Sequence, residues 1–258
     1  MKAVALFLLM STSALADIDA CLRAVTNQAH DDAFKECSPL AKQGIAFAQL
    51  LLGLMYSQGE GVPQDYKEAV HWYRLAAEQG DAGAEYNLGV AFNGGEGVPQ
   101  DYKEAVRWYR LAADQGNAAA EFNLGFLYIK GQGVPQDYKE AVRLYRLAAE
   151  QGQAEAKFNL GFLYYQGLGV PQDYKEAVRL YRLAAEQGQA DAQYNLGLMY
   201  YQGLGVPQDY IQAHLWYNLA GINGQADAAK SRDIVAGKMT PAQIAEAQRL
   251  AREWKPKK

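Results

Sequence analysis

Val62-Pro63-Gln64-Asp65-Tyr66 is the stretch that decides the fold, because it returns four more times, with its proline at Pro99, Pro135, Pro171 and Pro207, each 36 residues after the last. A fixed period of that length marks a repeat architecture. Written in rows of 36 from Ala46, the chain gives five full repeats, 46–81, 82–117, 118–153, 154–189 and 190–225. Each row opens on a helical pattern such as Ala84-Glu85-Tyr86-Asn87-Leu88-Gly89. Row positions 3, 7, 10 and 11 carry Ala, Leu, a small or aliphatic residue and an aromatic, the i, i+4, i+7, i+8 spacing of a buried stripe. A loop with two glycines follows, as in Gly167-Leu168-Gly169, and then the Val-Pro-Gln-Asp-Tyr motif.

Asp65, Asp101, Asp137 and Asp173 stand where N-caps belong, and Glu68, Glu104, Glu140 and Glu176 three residues on complete a capping box. The second helix of each row runs through Leu-Ala-Ala and stops at Gly80, Gly116, Gly152 or Gly188, the place of a left-handed C-cap. A single hairpin of this size cannot bury its stripe alone. The rows are therefore predicted to stack as an all-α solenoid of five helix-turn-helix repeats, with helical caps at both ends.

Residues 17–45 are expected to cover the first row and 226–258 the last. Two short helices are predicted at the amino end, Asp19–Gln28 and Asp32–Lys42, with a break near position 29. Cys21 and Cys37 lie eight residues on either side of that break, so an antiparallel hairpin lets them face each other. A disulfide there closes a loop of about 16 residues and contributes roughly 3 kcal/mol; two buried free thiols are the competing reading. At the carboxyl end, Ala226–Ile234 and a helix entered at Thr240-Pro241, with Gln243 at the box position, run to Trp254, and Lys255–Lys258 read as a frayed tail.

Lys2, the apolar run Ala3–Met10 and the triplet Ala14-Leu15-Ala16 have the parts of a secretory signal peptide, with cleavage expected before Asp17. The run falls short of the about 20 residues a membrane span needs. The chain thus reads as periplasmic or secreted, an oxidising setting that agrees with a disulfide.

Net charge −4, with 25 basic against 29 acidic residues, leaves no surplus to neutralise a phosphate backbone, so nucleic acid is excluded as a partner. Half the residues are apolar, too many for a disordered chain. Chemistry is scarce. Past residue 16 the only serines are Ser38, Ser57 and Ser231, and none begins Ser-x-x-Lys. His71 and His214 fall four rows apart, about 40 Å if hairpins stack at about 10 Å, and cannot share a metal. No catalytic residue, cofactor or metal ligand is predicted, and most of the acids read as caps and solvated faces.

The row as a whole, with Ala-x-Tyr-Asn-Leu-Gly, Gly-x-Gly-Val-Pro-Gln-Asp-Tyr and Ala-Val-x-Trp-Tyr-Arg-Leu-Ala-Ala-Glu-Gln-Gly, resembles the Sel-1-like repeat, a relative of the tetratricopeptide repeat with a longer inter-helix loop. Met239-Thr240-Pro241-Ala242-Gln243-Ile244 is similar to the segment that closes bacterial members. The resemblance implies a right-handed superhelix that binds another protein or peptide as a scaffold. Cysteine-rich exported relatives have been associated with penicillin binding or β-lactam hydrolysis, so a cell-envelope hydrolase or penicillin-binding protein is the alternative, and a secreted factor binding a host protein is a third.

Fourteen of the 18 tyrosines recur at row positions 11, 21 and 28 and read as packing residues; Tyr165 and Tyr201, at position 12, have no structural reason in the pattern. Positions 2, 6, 9 and 13 lie beside the buried stripe, on the face that lines the concave groove in related repeats. That face carries Asn87, Asn123, Asn159 and Asn195 at position 6, and Val90, Phe126, Phe162 and Leu198 at position 9. An amide both donates and accepts, so an Asn ladder is expected to hold an extended peptide backbone, as an asparagine at this position does in some tetratricopeptide domains. The competing reading has Asn bonded to the neighbouring repeat and position 9 packed beneath it. Lys130, Tyr165 and Tyr201 make rows three to five the expected contact patch.

Overall fold

The structure is a computed structural model that describes residues 12–257. It divides into two compact units, one of residues up to Ala120 with Gln132–Val134, the other of Glu121–Gly131 with residues from Pro135 onward. Fourteen helices and no strand occur among the described residues, and no helix there is long and apolar enough to cross a membrane.

The first unit contains α1 (Thr12–Thr26), α2 (His30–Lys42), α3 (Ala46–Gln58), α4 (Tyr66–Ala77), α5 (Ala82–Gly94) and α6 (Tyr102–Asp114), each packed on the next. Helix α7 (Ala118–Lys130) begins in this unit and continues in the second. The second unit continues with α8 (Tyr138–Glu150), α9 (Ala154–Gln166), α10 (Tyr174–Glu186), α11 (Ala190–Gln202) and α12 (Tyr210–Ile222), again neighbour on neighbour. Helices α13 (Ala228–Ala236) and α14 (Pro241–Glu253) both pack on α12 and close the array. Tandem hairpins in which each helix touches its chain neighbours make an α-solenoid.

The recurring motif works through local hydrogen bonds. Gln64 Nε2 donates to the Ser57 carbonyl at 2.7 Å, and Gln100, Gln136, Gln172 and Gln208 repeat the bond, covering a carbonyl left open at the end of each first helix. Asp65 Oδ1 accepts from the Lys67 and Glu68 amides, and Asp101, Asp137, Asp173 and Asp209 do the same one row on. The expected return bond from the glutamate does not form. Glu104, Glu140 and Glu176 pair instead with Arg107, Arg143 and Arg179 one helical turn on, where a charged partner outcompetes a backbone amide.

Two glycine positions are dictated by close approach. Gly89 lies under the ring of Tyr109, where a Cβ would sit 2.4 Å from the ring, and Gly161 lies under Tyr181 in the same way. In the second glycine of the loop, Gly97 has φ +72 and a Cβ would meet the Tyr66 carbonyl oxygen at 2.2 Å. This contact ties each loop to the second helix of the row before it.

The ends differ from the sequence expectation in extent. Helix α1 begins at Thr12 and ends at Thr26, with the break at Asn27–Ala29, and α2 starts two residues earlier than expected. Cys21 and Cys37 are both buried and joined as a disulfide, Cα atoms 4.9 Å apart. Residues 1–11, with the apolar run, lie outside the described residues. The carboxyl cap carries the predicted capping box, Thr240 with Gln243, and α13 falls two residues later than predicted. The tail is not frayed: Trp254 packs edge-on against Trp216, and Lys257 donates its amide to the Glu186 carbonyl at 2.7 Å and its ammonium to the Glu186 carboxylate at 3.0 Å. A backbone bond and an ion pair hold a segment that composition alone marks as mobile.

Candidate functional site

The first helices present their position-6 amides beside the buried leucines of position 7, because successive helical residues step about 100° around the axis. Asn87, Asn123, Asn159 and Asn195 are all half-buried. The side chains of Asn87, Asn123 and Asn159 make no hydrogen bond among the described residues, so these three are not held by a neighbouring repeat. Asn195 Nδ2 donates back to the Asp191 carbonyl of its own helix at 2.8 Å. Phe126 and Phe162 are 44% and 42% exposed, so position 9 does not pack beneath the next repeat in those rows. Lys130 Nζ sits 5.4 Å from the Phe126 ring centroid.

Tyr165 and Tyr201 turn out to have structural reasons. Tyr165 lies against Tyr174 with ring centroids 5.4 Å apart, and Tyr201 against Tyr210 at 6.0 Å. The Lys238 ammonium, from the turn between α13 and α14, rests 4.8 Å from the Tyr201 centroid. The sequence pattern missed these contacts because Tyr174 and Tyr210 belong to the second helices and Lys238 to the cap.

A buried polar ladder was also missed. Position 4 of the first helix meets position 34 at the end of the second. Gln79 Nε2 donates to Gln49 at 2.8 Å, Gln115 to Glu85 at 2.7 Å, Gln151 to Glu121 at 2.9 Å, and Asn223 to Gln193 at 2.9 Å. Glu85 and Glu121 are therefore core residues and not the solvated acids their charge implied. Burial raises both carboxyl pKa values, against the lowering effect of the amide bond. Row four breaks the ladder: Lys157 Nζ turns to the Gly152 carbonyl at 3.1 Å, and Gln187 Oε1 is buried without a partner among the described residues. Recurrence of an amide at position 34 in every row was the available signal.

No serine hydrogen-bonds a histidine or lysine among the described residues. Ser38 Oγ donates to the Phe34 carbonyl at 2.6 Å, Ser57 Oγ to the Leu54 carbonyl at 2.8 Å, and Ser231 Oγ lies 3.2 Å from the Tyr194 hydroxyl. His214 is 3% exposed with Nδ1 unpartnered, and burial, then Arg232, lower its pKa. His30 Nδ1 is 3.2 Å from Glu60. No cluster of three metal-ligating side chains occurs among the described residues.

The Sel1 repeat family profile matches residues 46–81, 82–117, 118–153, 154–189 and 190–225. The chain is a Sel1 repeat protein. The five matches coincide with the rows set by Val-Pro-Gln-Asp-Tyr and cover well over half the chain. Among solved structures, it is similar to a Sel1 repeat protein from Oxalobacter formigenes, at 34% identity over 96% of this chain and 100% of that one, with a TM-score of 0.79. It is also similar to a protective antigen of uropathogenic Escherichia coli that displays the same fold, at 38% identity over 86% of this chain, TM-score 0.78. This chain spans about half, 49%, of that antigen's length. An immunity protein from Pseudomonas aeruginosa, at 22% identity over 81% of this chain and 83% of that one with TM-score 0.50, shares the fold alone. No protein of curated function matches the chain. Sel1 repeats serve in general as protein-interaction scaffolds, and this chain carries five of them in tandem.

Proposed function

We propose that this Sel1 repeat protein is an exported, non-enzymatic adaptor that holds an extended segment of another protein along the first-helix face, in the periplasm or cell envelope. The observation that carries the reading is the pairing of unbonded half-buried amides with exposed rings, Asn123 and Asn159 beside Phe126 and Phe162. An exposed amide costs nothing to keep, but a half-buried one with no partner forgoes a bond, and a peptide backbone supplies both a donor and an acceptor. Main-chain bonds to such amides hold the segment, and its side chains cover the exposed rings. Lys130 supplies a cation at the same face.

Export is supported by the leader pattern of residues 1–16 and by a buried disulfide, which persists in oxidising compartments. The purified exported chain is expected to begin at Asp17 and to show no thiol on denaturation until reductant is added.

Binding is tested with a displayed random-peptide library selected on residues 17–258. A selected peptide is expected to bind at least tenfold more weakly to the combined Asn123→Ala, Asn159→Ala, Asn195→Ala variant, with the helical circular dichroism unchanged. Equal affinity on both proteins removes the amide face as the site.

A further inference from the structure

Between α3, α4 and α5, inside the first unit, lies a cavity of about 150 Å³. Leu54, Val70, Val90 and Ala91 form its apolar walls, and Ser57, Gln58, Asn87 and Glu96, with the Tyr66 and Tyr73 side chains, bring polar groups to its lining. The cavity exists because three side chains are small. Ala91 occupies position 10, where later rows bury Leu127, Leu163 and Met199 almost completely. Val90 occupies position 9, where later rows have Phe126, Phe162 and Leu198, and Ser57 occupies position 12, where they have Ile129, Tyr165 and Tyr201.

The polar side is equally particular to this place. Ser57 Oγ accepts from the Tyr73 hydroxyl at 3.1 Å and donates to the Leu54 carbonyl, so its hydrogen is committed. The Asn87 side chain makes no hydrogen bond among the described residues. Glu96 forms no ion pair among the described residues, whereas its row-one counterpart Glu60 is 3.2 Å from His30. Glu96 lines the cavity, and its charge helps raise the pKa of the Tyr73 hydroxyl, after the larger effect of burial and against the lowering effect of the Ser57 bond. The later rows have Gln132, Leu168 and Leu204 at this position. No lysine or arginine lines the cavity among the described residues.

We propose that this cavity is a specificity pocket for one lysine or arginine side chain of a peptide segment held on the first helices of this unit, α3 and α5, its methylenes against Leu54, Val70, Val90 and Ala91 and its cationic head at the Glu96 carboxylate and the Asn87 amide oxygen. An apolar side chain would fill the walls but strip water from an unpaired carboxylate, and an acidic one would add repulsion. A long cationic side chain satisfies both halves, because its stem is apolar and its head stays at the wet rim. Fit of a single chain also follows from volume, since about 150 Å³ holds no second side chain. The pocket rests on the peptide-binding reading above, of which it names the selectivity.

The test uses nonapeptide mixtures, acetylated and amidated, with one position fixed as lysine, norleucine or glutamate and the rest randomised, titrated against residues 17–258 by fluorescence polarisation. The fixed position is moved along the peptide. At one position lysine is expected to bind at least tenfold more tightly than norleucine, and glutamate most weakly. Glu96→Gln is expected to remove the lysine preference while norleucine mixtures keep their affinity. Ala91→Leu, a residue the fold already accepts at this position in rows three and four, is expected to close the pocket and level all three mixtures. Equal binding of lysine and norleucine at every position, or a preference that survives Glu96→Gln, overturns the pocket while peptide binding that depends on Asn123 and Asn159 leaves the groove standing. Failure of every mixture to bind overturns both.

Discussion

Rows one and two and rows four and five are built on one plan and filled differently. In both regions the motif aspartate caps the second helix, the motif glutamine covers the first, and a tyrosine ring lies over a glycine. In rows one and two, Ser57 and Ala91 leave space, and the Tyr73 hydroxyl has Ser57 as its acceptor. In rows four and five, Tyr165 and Met199 fill the same row positions, and the Tyr181 hydroxyl is buried with no partner among the described residues. The backbone of a repeat is thus conserved along the chain by loop and cap chemistry, while its cavity content is set by a few side chains. Repetition supplies the frame and departure from repetition supplies the sites.

The largest effect should be common to both regions. Gly97→Ala and Gly205→Ala put a methyl within 2.2 and 2.3 Å of a backbone oxygen at positive φ, and each is expected to cost about 3 kcal/mol or more in urea unfolding. Gly116→Ala and Gly188→Ala have positive φ but open space, and should cost only about 1–2 kcal/mol. A severe loss in one region alone would break the idea of a shared frame.

Next comes a pair of opposite sign. Tyr73→Phe gives up the bond to Ser57 and should lose about 1 kcal/mol, whereas Tyr181→Phe removes an unsatisfied buried hydroxyl and should gain about 1 kcal/mol. Thermal unfolding of the two variants beside wild type reads both; the same sign in both would erase the contrast. The row-four gap in the polar ladder sharpens it further. Lys157→Gln gives the Gln187 amide nitrogen an acceptor of the kind Gln49 gives Gln79 in row one, with an expected gain of up to about 1 kcal/mol. No gain would mean that Gln187 is satisfied by other means.

The smallest effect is a tilt in stability against pH. Burial raises the folded-state pKa of Glu85 and Glu121 above the unfolded value near 4.5, so each carboxyl binds its proton more readily in the folded chain. Their contribution is complete below the unfolded pKa and is lost as pH rises through the folded pKa. Glu85→Gln and Glu121→Gln should therefore stabilise the protein at pH 7 and flatten that slope; Gln49 and Gln193 hold the same row position in rows one and five. Equal slopes in wild type and variants would contradict buried carboxylates.

Much of this could be read from residues in order. Period 36, the Asp caps, the glycine stops and the capping box at Thr240 are local signals, each acting within one or two turns of chain. That Cys21 and Cys37 face each other was legible for the same reason, since a hairpin's geometry follows from its turn. Glutamates at Glu85 and Glu121 misled because a charged residue beside a buried stripe reads as solvated unless its partner, 30 residues away, is known. The tail misled in the same way, its anchor Glu186 lying a whole row and cap earlier.

By itself, then, the sequence determined the repeat, its helices, its loops and its family, because those depend on hydrogen bonds and apolar spacing over a few neighbouring residues. Only the tertiary structure decided which amides stay unbonded, which rings stay exposed and where small side chains leave a cavity beside Glu96. Those depend on what stands opposite each side chain, which no periodicity along one chain encodes.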